Sequence, residues 1–221
     1  MKAKDHIIES WKKNAKEWVR VIEQDEIPSR QYTNTAIVET LATLPARTIL
    51  DVGCGEGWLT RSVTAIGKKA TGIDAIPQLL KSAGEKGPEP YFNITYEDII
   101  NNITVPNAPF DAAVFNFCLY QKEGLVTLLK KTRKMISEQG YLVIQTLHPY
   151  FLFQNQLPYQ SQWIDNSWKG LPGNFEDGHT WYARTFENWI NIFNESELHL
   201  IDLKEVVNDE QKPLSVIFTI K

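Results

Sequence analysis

Residues 49–59 read ILDVGCGEGWL, and this stretch decides the fold of the chain. Ile49, Leu50 and Val52 form a short apolar run typical of a buried strand, and alternating glycines follow it directly. Glycine permits a tight turn and lets the backbone come close to a ligand. The residues after Gly57 have the pattern of a helix. The stretch therefore predicts a strand, a glycine-rich turn and a helix, with a ligand site at the turn.

Short β-rich runs alternate with helical segments beyond this turn. The predicted strands are Thr48–Val52, Ala70–Asp74, Tyr91–Tyr96, Asp111–Phe117 and Tyr141–Thr146. Helices are expected between them, the last near Leu125–Ser137 with Gly140 as its stop. Strands that alternate with helices form parallel βαβ units. The sequence therefore predicts an α/β fold with a doubly wound, mostly parallel sheet and helices on both faces.

The two ends of the chain add helices and an edge hairpin to this sheet. The runs His199–Val206 and Leu214–Ile220 flank a turn-like NDEQ, which predicts an antiparallel hairpin at the sheet edge. A helix of roughly Phe186–Asn194 leads into this hairpin. At the other end, an apolar stripe over residues 7–22 and a second helical pattern over Thr33–Leu44 predict two helices.

Between these parts, residues 150–189 are rich in aromatic side chains and poor in charged ones. Prolines and glycines interrupt this stretch, so we do not expect one long helix. We interpret it as an insertion after the fifth strand that forms a lid. The chain is thus expected to be a single domain of residues 1–221, with an N-terminal helical cap of about 1–45 and an aromatic-rich lid of about 149–185.

Composition argues against several classes of protein. The 221 residues include 23 basic and 27 acidic side chains, a net charge of −4, and 43% are hydrophobic, as in ordinary globular proteins. This charge gives no reason to expect nucleic acid or an anionic membrane as a partner. No apolar run reaches the length of a membrane span, and charges interrupt the N-terminal stretch too often for a secretion signal. We expect a cytoplasmic monomer or homodimer.

Neither disulfides nor a metal site are expected. The two cysteines, Cys54 and Cys118, form no CxxC pair, which suits a reducing compartment. The four histidines have no HExxH or CxxC companion, so the sequence predicts no metal.

The spacing of the glycines bears on the kind of ligand. The dinucleotide fingerprint is GxGxxG, and its third glycine lets the helix pack closely beside a diphosphate. Here the spacing is GxGxG, Trp58 stands at the place of that third glycine, and Asp51 puts a carboxylate near the turn. A ligand with an ammonium or sulfonium group suits these residues better. An NAD-dependent oxidoreductase stays open as a remote alternative.

From Ile49 to Leu147 the chain resembles the Rossmann-like (class I) S-adenosylmethionine-dependent methyltransferases of the small-molecule type. The resemblance rests on the glycine turn, on Asp74 in ATGID, on Asp98 in ITYED, and on the segments FDAAVFNFCLY and EQGYLVIQTLHP, which stand in family order. The tail that begins at Arg184 is similar to the last helix and edge hairpin of small-molecule members. The resemblance implies a seven-stranded sheet with an antiparallel last strand, methyltransferase activity, and S-adenosyl-L-methionine as cofactor.

The resemblance also implies roles around the cofactor. Asp51 would hold the turn and the amino group, and Asp74 would bind the ribose hydroxyls. Asp98 and the backbone of Ile99 would meet the adenine amino group. The other contacts that it implies are Gly53, Cys54, Gly55 and Gly57 in the turn, Ala75 and Ile76 beside the adenine, and Asn116 and Phe117 beside the transferred methyl group. The family often has a histidine after the fourth strand, where this chain has Leu119-Tyr120-Gln121.

Further candidates follow from the residues themselves. Trp11 lies on one face of the first helix, and the resemblance implies that this helix closes over the cofactor; Arg30 is expected to reach the methionine carboxylate. His148, just past the fifth strand, and Tyr120 are the candidate catalytic and substrate-binding residues, and His179 is a weaker candidate base. The lid residues expected to enclose an apolar or planar acceptor are Trp163, Trp168 and Trp181, with Phe175 and Tyr182. Each of these aromatic residues also fits simple core packing.

These features favour a methyltransferase that acts on a small organic molecule at oxygen, nitrogen or carbon. Two alternatives stay open, a nucleic-acid or protein methyltransferase and a non-catalytic module that only binds the cofactor. Against the first stand the net charge of −4 and the stretch Asn116-Phe117-Cys118-Leu119, which is not an NPPY-type motif.

Overall fold

The computed structural model describes residues 3–221, with side chains from residue 6 onward. In chain order the strands are β1 (Thr48–Val52), β2 (Lys69–Asp74), β3 (Tyr91–Asn93), β4 (Phe110–Asn116), β5 (Ile136–Leu147), β6 (Gln162–Ile164), β7 (Trp181–Ala183), β8 (Leu200–Val207) and β9 (Pro213–Ile220). The helices are α1 (Ala3–Glu23), α2 (Arg30–Thr43), α3 (Trp58–Ala65), α4 (Pro77–Lys86), α5 (Tyr96–Ile100), α6 (Leu125–Arg133), α7 (Phe151–Gln154) and α8 (Phe186–Glu195). Within the described range, none of these helices combines the length and apolarity that a membrane crossing requires.

Seven strands form the main sheet in the order β3-β2-β1-β4-β5-β9-β8, and β6 pairs with β7 in a separate hairpin. The five strands β3, β2, β1, β4 and β5, which are adjacent in this order, are parallel to their neighbours. β9 is antiparallel to both β5 and β8. The direction of winding reverses between β1 and β4, and ligands bind beyond the carboxyl ends of strands at such a point. The predicted doubly wound sheet with an antiparallel edge hairpin is confirmed.

Successive residues of the central strands face two different helical layers. In β1, Leu50 packs with the layer that contains α5, α6 and α8, whereas Ile49 packs with α2 and α3. In β4, Phe115 faces the first layer and Val114 the second. All four side chains are fully buried. Because helices cover both faces of the sheet, its central strands read in sequence as continuous apolar runs.

The helix before β5 is shorter than its sequence pattern predicted. The helix expected near Leu125–Ser137 ends at Arg133, and Gly140 lies inside β5 instead of at a helix stop. A Cβ at Gly140 would come within 2.1 Å of the Ile136 side chain and 2.6 Å of the Asp111 backbone oxygen. Gly140 is therefore required where β5 passes closest to its own beginning and to β4, at the register shift between these strands.

The third strand is also shorter than predicted. β3 ends at Asn93, and α5 begins at Tyr96. Thr95 and Asp98 form a capping box, in which the Asp98 N–H donates to the Thr95 hydroxyl (3.1 Å) and the Thr95 N–H donates to the Asp98 carboxylate (2.8 Å). Because this arrangement satisfies the first free N–H groups of a helix, it ends the strand and starts α5.

Residues 149–185, called the aromatic segment below, contain α7 and the β6–β7 hairpin and pack against α1. The buried Asn14 side chain donates to the Glu176 carbonyl (2.7 Å) and accepts from the Glu176 N–H (2.9 Å). The Ser10 hydroxyl donates to the Asp177 carbonyl (2.7 Å). These bonds join α1 to the aromatic segment at the side of the sheet where the ligand site is expected.

Candidate active site

A cavity of about 1010 Å³ lies at the carboxyl ends of β1, β2 and β4. The glycine turn, the ends of β2, β4 and β5, α1 and the aromatic segment form its walls. The predicted site residues that line it are Trp11, Arg30, Asp51, Gly53, Cys54, Gly55, Asp74, Ala75, Ile76, Asn116, Phe117, Tyr120, His148, Trp163, Trp168 and Trp181. Gly57, Asp98 and Ile99 lie outside its lining.

The glycine turn has positive φ at all three glycines, 75° at Gly53, 57° at Gly55 and 81° at Gly57. Its N–H groups are used within the protein. Those of Gly53, Cys54 and Gly57 donate to backbone carbonyls, and that of Gly55 donates to the Asp74 carboxylate (2.9 Å). A diphosphate is held by free backbone N–H groups. At these four positions the turn therefore has no donor left for a diphosphate.

The three glycines differ in what surrounds them. A Cβ at Gly53 would lie 2.8 Å from Cys118, and one at Gly57 would lie 2.5 Å from the Tyr91 hydroxyl oxygen. A Cβ at Gly55 would meet only Trp18, at 4.0 Å. A side chain at Gly53 or Gly57 would therefore clash with packed neighbours. Gly57 faces the protein interior and not the cavity. Gly55 is the glycine with open space above its backbone.

Asp74, at the end of β2, connects that strand to the glycine turn. Its Oδ2 accepts from the Gly55 N–H (2.9 Å), and its Oδ1 accepts from the Ile76 N–H (2.8 Å). Burial raises the pKa of the carboxyl group, while these hydrogen bonds act in the opposite direction. Each carboxylate oxygen has two acceptor sites. Asp74 can therefore hold the turn and still accept hydrogen bonds from ligand hydroxyl groups.

Asp51, in β1, is a buried carboxyl group in the cavity wall. It is 2% exposed and accepts a hydrogen bond from the Thr60 hydroxyl (2.7 Å). Its pKa is raised to about 7, mainly because of burial; the Thr60 hydrogen bond acts to lower it, and the charge of Asp74 acts to raise it. A cation in the cavity would stabilise the ionised form of this group.

Glu56 is a third acidic residue of the site, and the sequence reasoning did not single it out. It is fully buried and pairs with Arg61 (2.8 Å) and Lys86 (3.0 Å). Its Oε1 has no hydrogen-bond partner among the described residues. The signal available in the sequence was a charged residue inside a glycine turn. Because Arg61 and Lys86 offset its charge, Glu56 holds these two cations beside the glycine turn.

Arg30, at the start of α2, brings a positive charge to the same end of the cavity. Its guanidinium carbon lies 4.6 Å from the centroid of the Trp58 ring. Burial lowers its pKa, while Glu56 and Asp25 raise it. Since arginine stays protonated in proteins, Arg30 can bind an anionic group such as a carboxylate.

The chain beyond β4 forms the cavity wall next to the glycine turn, where a Cβ at Gly53 would lie 2.8 Å from Cys118. The buried Oδ1 of Asn116 has no hydrogen-bond partner among the described residues, and Phe117 has a φ of 50°. Such a conformation is costly for a bulky residue and often marks a functional site. The Tyr120 hydroxyl donates to the Phe117 carbonyl, and burial raises its pKa well above its usual value. Tyr120 is therefore a protonated wall residue whose hydrogen is already engaged, and not a base.

Asp98 and Ile99 do not reach the cavity, contrary to the expectation. The Asp98 carboxylate accepts from the Thr95 N–H and hydroxyl (2.8 Å each), and these bonds lower its pKa. Ile99 is 1% exposed and packs in the core. Thr95 and Tyr96 line the cavity in their place. The sequence shows an acidic residue after the third strand, but it does not show that this residue caps the start of a helix.

His148 lines the cavity, but both of its ring nitrogens are engaged elsewhere. Nδ1 accepts from the Tyr150 N–H (3.0 Å), so Nε2 carries the hydrogen and donates to Glu205 on β8 (2.7 Å). A general base needs a free nitrogen within reach of the proton that it removes. In this structure His148 therefore joins β5 to β8, and the predicted role as base does not fit.

His179, the weaker candidate in the sequence, is in a different situation. It is fully buried and lines the cavity, with Nδ1 2.9 Å from the Ser167 hydroxyl oxygen. Its Nε2 has no hydrogen-bond partner among the described residues. Burial lowers its pKa to about 4, so the imidazole is neutral at neutral pH.

Aromatic rings of the aromatic segment and α1 line the rest of the cavity. Trp168 stacks on Phe175 (4.7 Å between centroids, 12° between planes) and meets Trp11 edge-on (4.7 Å). Trp168 is 6% exposed, whereas Trp163 is 38% exposed. Two further ring contacts are Trp163–Tyr182 (5.2 Å) and Trp181–Phe151 (5.4 Å). Trp168 thus belongs to the packed centre of the segment, and Trp163 to its rim.

The sequence matches the family described as "Methyltransferase domain" over residues 28–201. This range contains the glycine turn, Asp74, the end of β4 and the aromatic segment. The chain belongs to this methyltransferase family.

Relatives and solved structures agree with this assignment. A demethylmenaquinone methyltransferase of Tropheryma whipplei is 30% identical over 115 residues, 52% of this chain and 48% of that protein. The chain therefore spans about half the length of this curated relative. An S-adenosylmethionine-dependent methyltransferase from Mesorhizobium loti has a TM-score of 0.63 at 18% identity, covering 85% of this chain and 97% of that one. A 1,6-didemethyltoxoflavin-N1-methyltransferase from Burkholderia thailandensis has a TM-score of 0.61 at 17% identity, covering 91% and 80%. The solved structures share the Rossmann-like methyltransferase fold.

S-adenosyl-L-methionine is the cofactor of this class, and the cavity of this methyltransferase fits it. The cofactor carries a sulfonium, an ammonium, a carboxylate and an adenosine. The backbone of Gly55 is open to the cavity, and the carboxyl groups of Asp51 and Asp74 suit cations and ribose hydroxyls. The unpartnered Oδ1 of Asn116 and the cation of Arg30 offer an acceptor and an anion site.

Proposed function

We propose that this methyltransferase transfers a methyl group from S-adenosyl-L-methionine to a small, planar organic acceptor bound beneath the aromatic segment. The observation that carries the proposal is the glycine turn, in which the N–H groups of Gly53, Cys54, Gly55 and Gly57 are bonded internally and carboxyl groups lie beside them. This arrangement suits a ligand with positive charge. The cofactor supplies a methyl group already activated by its sulfonium, so the protein has to position the acceptor and exclude water.

The cavity residues suggest a division of labour around the cofactor. In this proposal Asp74 binds the ribose hydroxyls, and Ala75 and Ile76 lie beside the adenine. Arg30 binds the methionine carboxylate, and Asp51 attracts the ammonium. The remaining contacts of the proposal are the backbone of Gly53, Cys54 and Gly55, the transferred methyl beside Asn116 and Phe117, and the ring of Trp11 over the cofactor.

A small acceptor is supported by the volume and lining of the cavity. Its volume of about 1010 Å³ is at the upper end of the roughly 300–1,000 Å³ typical of small-molecule sites, and Tyr120, Trp163, Trp168 and Trp181 contribute flat apolar surface. Aromatic faces also attract cations such as a sulfonium. Some relatives and structural neighbours are named for quinone or toxoflavin methylation, which is consistent with a planar acceptor.

We further propose that α1 acts as a cap and the aromatic segment as a lid over the site. The support is that Ser10 and Asn14 of α1 bind the backbone of the segment at Glu176 and Asp177. A cover joined in this way keeps water from the sulfonium.

Isothermal calorimetry with S-adenosylhomocysteine tests the cofactor assignment. We expect one binding site per chain and no heat with NADH. An absence of binding by protein with an intact circular dichroism spectrum would contradict the proposal. Incubation with methyl-labelled cofactor and a metabolite library then separates an enzyme from a module that only binds the cofactor, because only an enzyme labels an acceptor.

A further inference from the structure

His179 contains a polar atom whose hydrogen-bonding need the protein does not meet. The side chain is 0% exposed, and its Nε2 has no hydrogen-bond partner among the described residues. Leaving a buried polar group unpaired is unfavourable, because the group has lost its hydrogen bonds to water. Several buried unpaired atoms belong to residues that line the cavity, and His179 Nε2 is the imidazole nitrogen among them. A ligand that enters the cavity can supply the missing partner.

The position of His179 relates it to the chain beyond β4. Its ring centroid lies 5.0 Å from that of Tyr120, whose hydroxyl donates to the Phe117 carbonyl. Three residues after His179, the Tyr182 N–H donates to the Tyr120 carbonyl (2.9 Å). His179 is therefore fixed against the wall at which the proposed function puts the transferred methyl group.

Two rings beside His179 nearly form a slot for a planar molecule. Trp11 and Tyr120 have centroids 6.1 Å apart and planes inclined by 34°. A flat ring between two others needs about 7 Å, twice the carbon–carbon contact distance of about 3.5 Å. A planar acceptor between these rings therefore requires the half-buried Trp11, which meets Trp168 edge-on at 4.7 Å, to move outward when the acceptor binds.

We propose that Nε2 of His179 accepts the hydroxyl proton of the methyl acceptor, and that this acceptor is a planar ring with an acidic hydroxyl, a phenol or an enol. The inference rests on the proposed function. In the transfer, the acceptor oxygen bonds to the methyl carbon, sulfur keeps the electron pair of the broken C–S bond, and the hydroxyl proton passes to Nε2. The positive charge of the sulfonium is thus replaced by that of the imidazolium.

The surroundings of His179 determine which hydroxyl it can serve. Burial keeps its pKa low, at about 4, and His6 on α1 lowers it further, so the neutral ring is a weak base. A weak base removes protons effectively only from acidic hydroxyls. Ser167 sets the tautomer in this proposal: Nδ1–H donates to the Ser167 hydroxyl oxygen and leaves the lone pair on Nε2.

NMR of protein with ¹⁵N-labelled histidine tests the inference without relying on turnover. The protein is first saturated with S-adenosylhomocysteine, and 4-nitrophenol or catechol is then added. We expect the Nε2 resonance of His179 to be that of an unprotonated nitrogen and to move when either phenol binds. His199, which is exposed, should not respond.

Variants provide the matched comparison. His179→Asn keeps a polar atom near Nδ1 but removes Nε2, and should weaken 4-nitrophenol binding about 5- to 10-fold, the effect of one hydrogen bond. His179→Gln places an amide near the Nε2 position and should bind within about twofold of wild type, since the bond is retained. His199→Gln should match wild type.

The outcomes separate this inference from the proposed function. If S-adenosylhomocysteine does not bind, the proposed function itself fails. If it binds but neither phenol binds or moves Nε2, or if Nε2 already carries a hydrogen, the inference about His179 is overturned. Equal binding by wild type and His179→Asn would also overturn it.

Discussion

The Oδ2 atom of Asp74 lies 2.9 Å from the backbone nitrogen of Gly55 and accepts its hydrogen. This single bond links the end of β2 to the middle of the glycine turn. It removes the donor that a diphosphate would use and places a carboxylate beside the open face of Gly55. In the proposed function, the preference for a cationic nucleoside therefore begins with these two residues.

Substitution of Asp74 should weaken the cofactor site. In Asp74→Asn the charge is lost, and one carboxylate oxygen that accepts from Gly55 or Ile76 becomes a donor. Because hydrogen bonds to charged groups contribute about 1.5–3 kcal/mol, we expect S-adenosylhomocysteine to bind about 10- to 100-fold more weakly. Calorimetry measures the change. Asp98→Ala is the matched control: it should lose about 1 kcal/mol of stability as a helix cap and keep full affinity. The reverse pattern would refute our assignment of these two acids.

Alanine substitutions at glycines separate ligand space from packing. Gly55 and Gly67 both have positive φ, and the Cβ of either alanine would meet no atom closer than 4 Å. Gly55→Ala and Gly67→Ala should therefore have similar melting temperatures, both below that of wild type. In each, backbone strain lowers the free energy of unfolding by about 1 kcal/mol. Only Gly55→Ala should lose affinity for S-adenosylhomocysteine. Gly57→Ala should unfold most easily, because its Cβ would lie 2.5 Å from the Tyr91 hydroxyl oxygen. Full cofactor affinity in Gly55→Ala would place the ligand elsewhere.

Stability should depend on pH through Asp51. Its pKa rises from 3.8 in the reference state to about 7 in the folded protein, because of burial. Between these values the folded state holds a proton that the unfolded state has released, so this contribution to the free energy of unfolding falls as pH rises. The loss is on the order of 4 kcal/mol, at about 1.4 kcal/mol per pKa unit.

Comparison with Asp51→Asn isolates that contribution. The amide oxygen can still accept from Thr60, but the side chain no longer titrates. Chemical unfolding at pH 4 and pH 7 should show that wild type loses more stability over this interval than the variant does. Saturation with S-adenosylhomocysteine should reduce the difference, since its ammonium favours the charged carboxylate. Parallel curves for the two proteins would mean that Asp51 ionises normally.

The contact between α1 and the aromatic segment should depend on Asn14. Asn14→Ala leaves the N–H and carbonyl of Glu176 without their side-chain partner and should cost about 1–3 kcal/mol. Hydrogen exchange around residues 174–177 should become faster. Lys13→Ala, which removes exposed ion pairs to Glu176 and Asp177, should have little effect. Unchanged exchange in Asn14→Ala would show that other contacts hold the two parts together.

The sequence predicted the parallel sheet because buried strands leave an unmistakable apolar pattern, as in Ile49–Val52. It predicted the turn because glycines at alternate positions directly after a buried strand are typical of a tight turn. It did not reveal the beginning of α5. An acidic residue after a strand has the same sequence pattern whether it binds a ligand or caps a helix, as Asp98 does. The sequence also does not show which ring nitrogens of His148 and His179 are engaged. Their availability depends on partners distant in sequence, Glu205 for His148 and Ser167 for His179.

The place of β9 between β5 and β8 has a consequence for biosynthesis. β8 leaves the ribosome before β9, yet it has no neighbour in the sheet other than β9. Until residues 213–220 have been translated, one edge of β5 stays open and β8 has no strand to pair with. Strands β1 to β5 can pair before residue 200 is made, whereas Val216, Phe218 and Ile220 of β9 join the hydrophobic core only after residues 213–220 have been translated.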